Sequence, residues 1–399
     1  MKKESKAEND KKPEMIIATD NFLPRRDGIT TFLSEIIPRL KENFNITIIC
    51  PEYKTTEVKI EGIKFVRIPL SKRKVGDFRI PKWKPRKIIK TIKKADLIFT
   101  QTTGPIGASA LFFGQRMNRK TIAFIHSIEW DLVAQSAKHA IIKKYSYPIT
   151  KRITHFLYSR CTYLIVPSES ISDALTWKDL QTPKKIINLG VNTNKFTPSE
   201  NKSEVKELKQ ELGIDENQLI IGYHGRIARE KDLPTLMRAF IKLRKKYPNI
   251  RLLIVGSGVK KIEKQLEKQP GIIHVHAVHN VEKYLQIMDI YCLTSLTETT
   301  SLSVLEAMST GLPVVTSPVG FIKDYISNGK NGLFFKTENS FSLTKEIEKL
   351  INSKKIRTKL GENARHTIIH RFDWDLTGMR LVDFFNKFKK ETKQEKIKY

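Results

Sequence analysis

The segment LIIGYHGRIAREKDLPTLMRAFIKLRKKYPNIRLLIVG, residues 219–256, carries the pattern that decides the fold. A short run of apolar residues is followed by a glycine turn, an amphipathic helical pattern and a second apolar run. Both runs are apolar on both faces, which is typical of parallel strands covered by helices on either side. The segment therefore predicts a strand–helix–strand unit of a doubly wound α/β sheet.

The same alternation continues along most of the 399 residues. The other predicted strands, all short and apolar, are 15–19, 45–50, 63–68, 96–100, 121–125 and 163–167, and then 272–276, 289–293 and 313–317. The composition changes once, at the polar segment TPSENKSEVKE (197–207). Two sets of strands separated by a polar segment predict two Rossmann-like doubly wound domains, which we expect to face each other across a cleft.

The predicted organisation follows from this division. The first domain spans 14–196, residues 197–207 form the linker, and the second domain spans 208–372. A helix over 373–390 is too apolar on one face to stand free, so we expect it to pack back on the first domain. The predicted tails are disordered at 1–13 and basic at 391–399.

The composition points to an anionic partner. Lysine and arginine total 72 against 42 acidic residues, a formal charge of +30, which leaves membrane surfaces, nucleic acids and phosphorylated ligands open. The three cysteines lie in separate apolar runs, as suits a reduced cytosolic protein. No apolar run reaches the roughly 18 residues that a membrane span needs, so we expect a soluble or peripheral protein of the cytoplasm.

Two basic stretches, 72–94 and 138–160, stand out. Residues 54–94 hold fifteen basic side chains against three acidic ones. The second stretch also carries Tyr145, Ile149, Ile153 and Phe156 at helical spacing. Three interpretations are possible for such stretches: a solvated face, a surface that binds nucleic acid, or a surface that binds anionic lipid. We favour anionic membrane lipid.

The segment SLTETTSLSVLEAMSTGLPVV (295–315) is the strongest candidate for a binding site. A strand ends before it, and a helix is expected to begin near Ser301. The first backbone N–H groups of that helix would form an anion site; they belong to Ser301, Leu302, Ser303 and Val304. Glu298 and Glu306 flank this site, and carboxylates accept hydrogen bonds well from sugar or ribose hydroxyls. The alternative is a helix cap and an ordinary helical glutamate.

The segment GYHGRIAREKD (222–232) supplies a second candidate. Gly225 follows a strand and lets the backbone approach a ligand. Arg226 can bind a phosphate through two hydrogen bonds, and Lys231 adds a point charge. The alternative is a basic surface turn.

Two weaker candidates lie in the first domain. In PRRDGITTF (24–32), Gly28 precedes a helix and would allow close approach to a diphosphate or sugar. In FIHSIEW (124–130), His126 follows a strand, and its imidazole could bind a sugar hydroxyl; Glu129 is a weaker neighbour. The alternative for Gly28 is a plain N-terminal turn of the helix, and a lone histidine such as His126 is more often structural.

The remaining patterns predict no metal site. Asp373 and Asp375 form a D-x-D pattern that follows a helix, so we interpret it as a helix cap. His366 and His370 have no evident third ligand. For His274 and His276, which alternate on a strand, a structural role is the better interpretation.

Taken together, these segments resemble the retaining glycosyltransferases of family 4, which have the GT-B fold. The resemblance covers residues 15–388, and its specific parts are GRIAREKD, VEKYLQIMDIYCLTS and the E-x7-E pattern that runs into EAMSTGLPVVTSPVG. IINLGVNTNKF (186–196) resembles the stretch at the family's domain junction. The chain is also similar to phosphatidylinositol mannosyltransferases and diacylglycerol glucosyltransferases, which work at the cytosolic face of a membrane.

The resemblance implies an activity: transfer of a hexose, with retention, from a nucleotide-diphosphate sugar to an acceptor hydroxyl. By matching position, Arg226 and Lys231 would hold the diphosphate, Glu298 the sugar hydroxyls and Glu306 the ribose. Gly28 would approach the phosphates, and His126 the donor sugar or acceptor. No cofactor is implied and metal is not required. The favoured acceptor is a lipid at the inner face of the cell membrane, and no nucleic-acid partner is expected.

The sequence departs from the family pattern twice. Thr299, Thr300, Ser301 and Leu302 stand where many members have an aromatic–glycine pair after the first glutamate. Phe321 replaces a glycine, which we expect to make that loop bulkier near the donor. Three alternatives stay open: a soluble sugar or polysaccharide acceptor, a nucleotide-sugar epimerase of the same fold, and a nucleic-acid-binding protein on an inactive transferase fold.

Overall fold

The computed structural model describes residues 12–25, 27–53, 58–75, 78–130 and 140–396. The chain divides into two compact units. The first unit contains residues up to Trp130, 145–188 and the C-terminal segment from Thr377, and the second contains the described residues 140–144 and Leu189–Leu376. Most of the tail predicted for 1–13, and the last three residues of the basic tail predicted for 391–399, lie outside the described residues.

The first unit contains one sheet, and its order is β4-β3-β2-β1-β5-β6-β7-β8. Its strands are β1 (Glu14–Ala18), β2 (Asn45–Glu52), β3 (Lys64–Val75), β4 (Phe78–Pro81), β5 (Leu97–Thr100), β6 (Lys120–Phe124), β7 (Tyr163–Val166) and β8 (Lys184–Ile186). Neighbouring strands are parallel except β3 and β4, which are antiparallel. This is the doubly wound sheet predicted from the apolar runs.

Helices connect these strands and cover the sheet. They are α1 (Gly28–Leu40), α2 (Pro85–Ile92), α3 (Pro105–Arg116), α4 (Ala140–Tyr158) and α5 (Glu169–Thr176). The C-terminal helix α14 (Trp374–Lys396) also contributes: the ring of Phe385 lies 5.1 Å from that of Phe99 and 6.0 Å from that of Phe44. Because Phe385 is 1% exposed, the first unit's core includes residues from both ends of the chain.

The second unit contains a parallel sheet of order β11-β10-β9-β12-β13-β14. Its strands are β9 (Leu219–His224), β10 (Ile250–Val255), β11 (Ile272–Val275), β12 (Ile290–Leu293), β13 (Val314–Thr316) and β14 (Leu333–Phe334). Its helices are α6 (Lys202–Glu211), α7 (Leu233–Lys246), α8 (Lys260–Glu267), α9 (Val281–Gln286), α10 (Leu302–Ser309), α11 (Ile322–Tyr325), α12 (Ser340–Asn352) and α13 (Lys354–Arg371). Strands β9, β10, β12 and β13 are buried almost throughout, as their continuous apolar sequences predict, whereas the edge strand β11 is only half-buried.

Some details differ from the expectations. Helix α6 begins at Lys202, inside the segment predicted as the 197–207 linker, and the division between the units falls earlier, after Asn188. The short strands β4, β8 and β14 were not predicted. Cys50, Cys161 and Cys292 are free and buried. Within the described residues, no helix has the length and apolar content needed to cross a bilayer.

Candidate active site

In the second unit, the polar residues of interest follow the carboxyl ends of β9 and β12. These two strands are neighbours in the sheet, and β10 lies on the other side of β9. The chain order therefore reverses between β9 and β12, which is where open α/β sheets form their ligand crevice. Lys231 comes from the loop after β9, and Glu298 comes from the loop after β12.

Lys231 and Glu298 form a largely buried ion pair. The distance from Lys231 Nζ to Glu298 Oε1 is 2.5 Å, and the two side chains are 18% and 10% exposed. The Ser295 hydroxyl donates to the same carboxylate oxygen at 2.7 Å, and the Thr294 hydroxyl donates to the Lys231 carbonyl oxygen at 2.8 Å. Side chains 67 positions apart are thus held together at the carboxyl ends of two neighbouring strands.

Arg226 pairs with a residue that the sequence analysis did not single out. Its guanidinium contacts the carboxylate of Glu230, whose side chain is 5% exposed. The Arg226 carbonyl oxygen accepts a 2.8 Å hydrogen bond from the Tyr223 hydroxyl. The only sequence signal for this pair is the spacing of four between opposite charges in R-I-A-R-E. Both predicted cations therefore carry a carboxylate partner.

Glu306 on α10 also has a partner that was missed. His224, the last residue of β9, places its Nε2 atom 2.6 Å from Glu306 Oε2. The His224 carbonyl oxygen accepts from the Tyr291 hydroxyl at 3.1 Å, and the two rings meet edge to face at 5.3 Å. The Glu306 side chain is 16% exposed, so its orientation is fixed while part of it reaches solvent.

The predicted anion site corresponds to the first turn of α10, which begins at Leu302 with Ser301 as N-cap residue. The Ser301 side chain does not cap the helix; its hydroxyl lies 3.0 Å from that of Ser303. Val304 is fully buried, and its N–H donates to the Ser301 carbonyl oxygen at 3.1 Å, so this residue contributes no donor to a ligand. The predicted site therefore depends on the N–H groups of residues 301–303, which suit an anion together with the helix dipole.

Close-packed glycines shape the loops around these residues. Gly225 has a φ of +136°. A Cβ atom added at Gly256 would lie 1.9 Å from the Gly225 carbonyl oxygen, and one added at Gly320 would lie 1.8 Å from that of Glu298. Both distances are far below van der Waals contact, so glycine is required at both positions.

The expectation that Phe321 adds bulk near the donor is wrong. Its side chain is 3% exposed and packs on Tyr325 and Phe372, with ring centroids 5.3 and 6.0 Å away. The Phe321 ring therefore lies in the apolar core, packed against these two aromatic rings, and not in the space near the donor. Burial also raises the pKa of Tyr325 well above its ordinary value.

Gly28 is the first residue of α1 rather than a residue ahead of it. The Asp27 carboxylate caps this helix, accepting from the N–H groups of Ile29 and Thr30 at 3.0 Å each. Two of the amides that an anion would use are therefore already paired.

His126 and Glu129 also belong to the first unit. The His126 Nε2–H donates to Gln101 Oε1 at 2.8 Å, and burial lowers the pKa of His126 to about 3. His126 is therefore neutral at physiological pH, so it can bind a hydroxyl but supplies no charge. Burial raises the pKa of Glu129 to about 7 although the Tyr158 hydroxyl donates to its carboxylate.

The second unit thus brings together most of the predicted site residues. They are Gly225, Arg226, Lys231, Glu298, Glu306 and the 301–304 turn. Gly28 and His126 lie in the first unit. Asp373 precedes α14, and its carboxylate accepts from the Asp375 N–H at 2.7 Å, as expected of a helix cap.

Comparison with known sequences identifies the class of enzyme. The sequence profile described as glycosyl transferases group 1 matches residues 204–367, and that of glycosyltransferase family 4 matches residues 26–195. The fold and these matches define a glycosyltransferase with the GT-B fold. The chain belongs to glycosyltransferase family 4, as its second-unit motifs predicted.

Two bacterial enzymes are among the proteins with a similar sequence. The alpha-monoglucosyldiacylglycerol synthase of Acholeplasma laidlawii is 26% identical over 87% of this chain and 90% of the relative. The capsular polysaccharide biosynthesis glycosyltransferase CapM of Staphylococcus aureus is 24% identical over 94% and 97%.

Solved structures show the same fold at lower identity. Anabaena Alr3699/HepE in complex with UDP has a TM-score of 0.74, with 18% identity over 94% of this chain and 100% of that chain. The sucrose-phosphate synthase of Thermosynechococcus elongatus has a TM-score of 0.78, with 16% identity over 96% and 100%. The predicted fold class is confirmed.

Proposed function

We propose that this enzyme transfers a hexose from a nucleotide-diphosphate sugar to a hydroxyl group of a membrane lipid, with retention at the anomeric carbon. The bond between the anomeric carbon and the diphosphate oxygen breaks, and a bond to the acceptor oxygen forms on the same face. The acceptor proton passes to the departing phosphate oxygen. No side chain serves as a covalent nucleophile, and no metal is assigned to the reaction.

The donor half of this proposal is supported by the Lys231–Glu298 pair beside the first turn of α10. Negative charge grows on the diphosphate as it leaves, and a fixed ammonium group beside the positive end of a helix dipole stabilises that charge. Lys231 and Arg226 are assigned to the diphosphate. Glu298 is assigned to sugar hydroxyls and Glu306 to the ribose, because an oriented carboxylate is a strong acceptor.

His126 and Gly28 are assigned weaker roles. His126 is assigned to the donor sugar or the acceptor, because it follows strand β6 and its neutral imidazole can exchange hydrogen bonds with hydroxyl groups. Gly28 is assigned to close backbone approach to the donor, although its helix is already capped by Asp27.

The lipid acceptor is supported by one observation, an apolar stripe on α4. Tyr145, Ile149, Ile153 and Phe156 are 60%, 58%, 52% and 42% exposed. Their spacing of three to four residues puts them on one helix face. A large exposed apolar face on a helix with basic neighbours suits the interface of an anionic bilayer.

Basic side chains accompany this stripe. Lys144 and Arg152 are exposed beside it, and the guanidinium of Arg160 lies 3.9 Å from the Phe156 ring centroid. Each such charge near an anionic surface contributes about 1 kcal/mol. The relative from Acholeplasma laidlawii, named as a glucosyldiacylglycerol synthase, points to the same acceptor class. We therefore place the enzyme at the cytosolic face of the cell membrane.

A polysaccharide or soluble sugar acceptor is the second candidate, because CapM, a capsular polysaccharide glycosyltransferase, matches over nearly the full length of both chains. The two candidates differ in the surface they need. A soluble acceptor gives the apolar stripe no role, whereas a lipid acceptor requires it.

The test uses the full chain with a panel of UDP-sugars and three acceptor conditions: anionic vesicles with diacylglycerol, anionic vesicles without it, and soluble oligosaccharides. Transfer only with the first supports the lipid proposal, and transfer only with oligosaccharides supports the second candidate. Isomerisation of the donor without an acceptor would identify an epimerase instead.

A matched pair of variants tests the stripe. Ile149→Ser with Ile153→Ser removes apolar area that contributes about 2 kcal/mol to membrane binding, or roughly 30-fold in partitioning. Trp177→Ser is the control, because Trp177 is 88% exposed but lies outside α4. The double variant should lose cosedimentation with anionic vesicles while the control keeps it. Equal binding of both variants would remove the support for a lipid acceptor.

A further inference from the structure

His224 lies beside Glu306, the residue assigned to the ribose of the donor. Its Nε2 atom is 2.6 Å from Glu306 Oε2, a distance typical of a ring N–H that donates to a carboxylate. The two residues belong to different elements, the end of β9 and the middle of α10. The contact therefore ties the helix that carries Glu306 to the strand beside which the chain order reverses.

The ring of His224 is held in place by its surroundings. Its side chain is 6% exposed. Its carbonyl oxygen accepts from the Tyr291 hydroxyl at 3.1 Å, and the Tyr291 ring meets the imidazole edge to face at 5.3 Å. Tyr291 is itself fully buried on the neighbouring strand β12. Because backbone and ring are both fixed, the Nε2 atom has one position and can fix the Glu306 carboxylate in turn.

The polar contacts of the imidazole favour a positioning role over a purely structural one. Its Nδ1 atom is buried without a hydrogen-bond partner, so among the described residues Glu306 is the one side chain that the imidazole binds. Most buried polar atoms of a folded protein are paired, and a phenylalanine would fill the same space without an unpaired nitrogen. The bond to Glu306 is therefore what a histidine adds at this position.

Glu306 keeps one carboxylate oxygen for a ligand. Its Oε2 atom faces His224, and no other side chain in the described part of the chain donates to the carboxylate. The Glu306 side chain is 16% exposed, so a ligand can still reach it. A glutamate that is already held loses less side-chain freedom on binding than a free one, so the contact with His224 should strengthen binding to Glu306.

We propose that His224 is a positioning residue for the ribose: it holds Glu306 so that the free carboxylate oxygen accepts hydrogen bonds from the ribose hydroxyls. The inference rests on the proposed function, because it takes Glu306 as the residue that binds the ribose. The effect of His224 is exerted through Glu306. His224 therefore determines how strongly the enzyme distinguishes a ribonucleotide from one that lacks the ribose hydroxyls.

The experiment measures, by calorimetry on the full chain, the dissociation constants of UDP, GDP, ADP and their 2′,3′-dideoxy counterparts. For each nucleotide that binds, the dideoxy form should bind about tenfold more weakly or worse, because hydrogen bonds to a charged group are lost. His224→Phe should bring this ratio close to one. His224→Gln should keep it, because the glutamine amide reaches about as far as Nε2 and also donates.

The ratio of the two dissociation constants separates positioning from a general loss of structure. A variant that merely loosens the site weakens both nucleotides alike and leaves the ratio unchanged. His274→Phe is the matched control, because His274 is a histidine of the same unit with a side chain only 2% exposed. It lies on the edge strand β11, where it bonds the Gly256 carbonyl oxygen and Glu267. His274→Phe should keep the ratio of the unaltered chain.

Four results would overturn the proposal. A ratio near one in the unaltered chain would show that Glu306 does not bind the ribose. A full ratio in His224→Phe would show that Glu306 needs no support from His224, and a ratio lost equally in His274→Phe would assign the effect to packing. Binding of no nucleotide at all would overturn the donor half of the proposed function as well. The expected ratios in an enzyme that transfers no hexose to lipid would support this inference and contradict only the proposed acceptor.

Discussion

Replacing Gly320 with alanine is expected to lower the activity about 100-fold while leaving the enzyme folded. Gly320 follows β13 and packs directly against the loop that carries Glu298. An alanine Cβ would lie 1.8 Å from the Glu298 carbonyl oxygen and 2.6 Å from its carbonyl carbon. Since real Cβ contacts essentially never fall below 3.0 Å, one of the two loops must move by about 1.2 Å.

The size of the effect follows from what that movement displaces. The Glu298 carboxylate holds Lys231 at 2.5 Å, so shifting the Glu298 backbone misplaces both proposed donor-binding groups. A misplacement of about 1 Å can cost roughly 100-fold in rate. The φ of Gly320 is +55°, so alanine also adds about 1 kcal/mol of backbone strain.

Gly329→Ala separates the steric effect from the strain. Gly329 has a φ of +77°, and nothing lies within 4 Å of an added Cβ. Both variants should lose about 1 kcal/mol of stability from strain, measured by urea unfolding, but only Gly320→Ala should lose about 100-fold in kcat/KM for nucleotide release from a sugar donor. Wild-type activity in Gly320→Ala, or an equal loss in Gly329→Ala, would refute this reasoning.

Three further predictions concern buried ionisable side chains. Lys231→Met leaves the Glu298 carboxylate without its ammonium partner, so the free energy of unfolding should fall by about 2 kcal/mol. Adding Glu298→Gln should restore the stability without restoring sugar transfer. Recovered transfer in the double variant would contradict the assigned roles. The pKa of Glu129 is raised from 4.5 to about 7, so the free energy of unfolding should fall as the pH rises from 4.5 to 7. At pH 8, Glu129→Gln should be about 2 kcal/mol more stable than the unaltered chain. Parallel pH profiles of stability for the two proteins would contradict this prediction. Because the pKa of His126 is lowered from 6.5 to about 3, stability should be lost as pH falls below 6.5, and the denaturation midpoint of His126→Gln should change less over pH 6.5 to 4 than that of the unaltered chain.

The strands that sequence analysis could identify are those with a continuous apolar run. Their apolar runs are long enough to stand out, and each predicted strand is present. The strands that it missed are short: β8 is Lys-Lys-Ile and β14 is Leu-Phe. Such segments have no periodicity of their own, because they are strands only through pairing with a longer neighbour.

The candidate site was predictable where a residue type and its place at a strand end indicate a ligand, as for Lys231 and Glu298. The partners of these residues were not. His224 meets Glu306 across 82 positions, and only the sheet order brings them together. Phe321 shows the same limit, since its ring packs in part on Phe372, which is distant in sequence.

The position of Phe385 has a consequence for biosynthesis. During translation, Phe44 and Phe99 leave the ribosome long before the residue that covers them. Residues 189–376 of the second unit are synthesised in between, so the first unit cannot complete its interior until the segment around Phe385 has emerged. Throughout that interval Phe44 and Phe99 lack the ring that covers them in the folded protein.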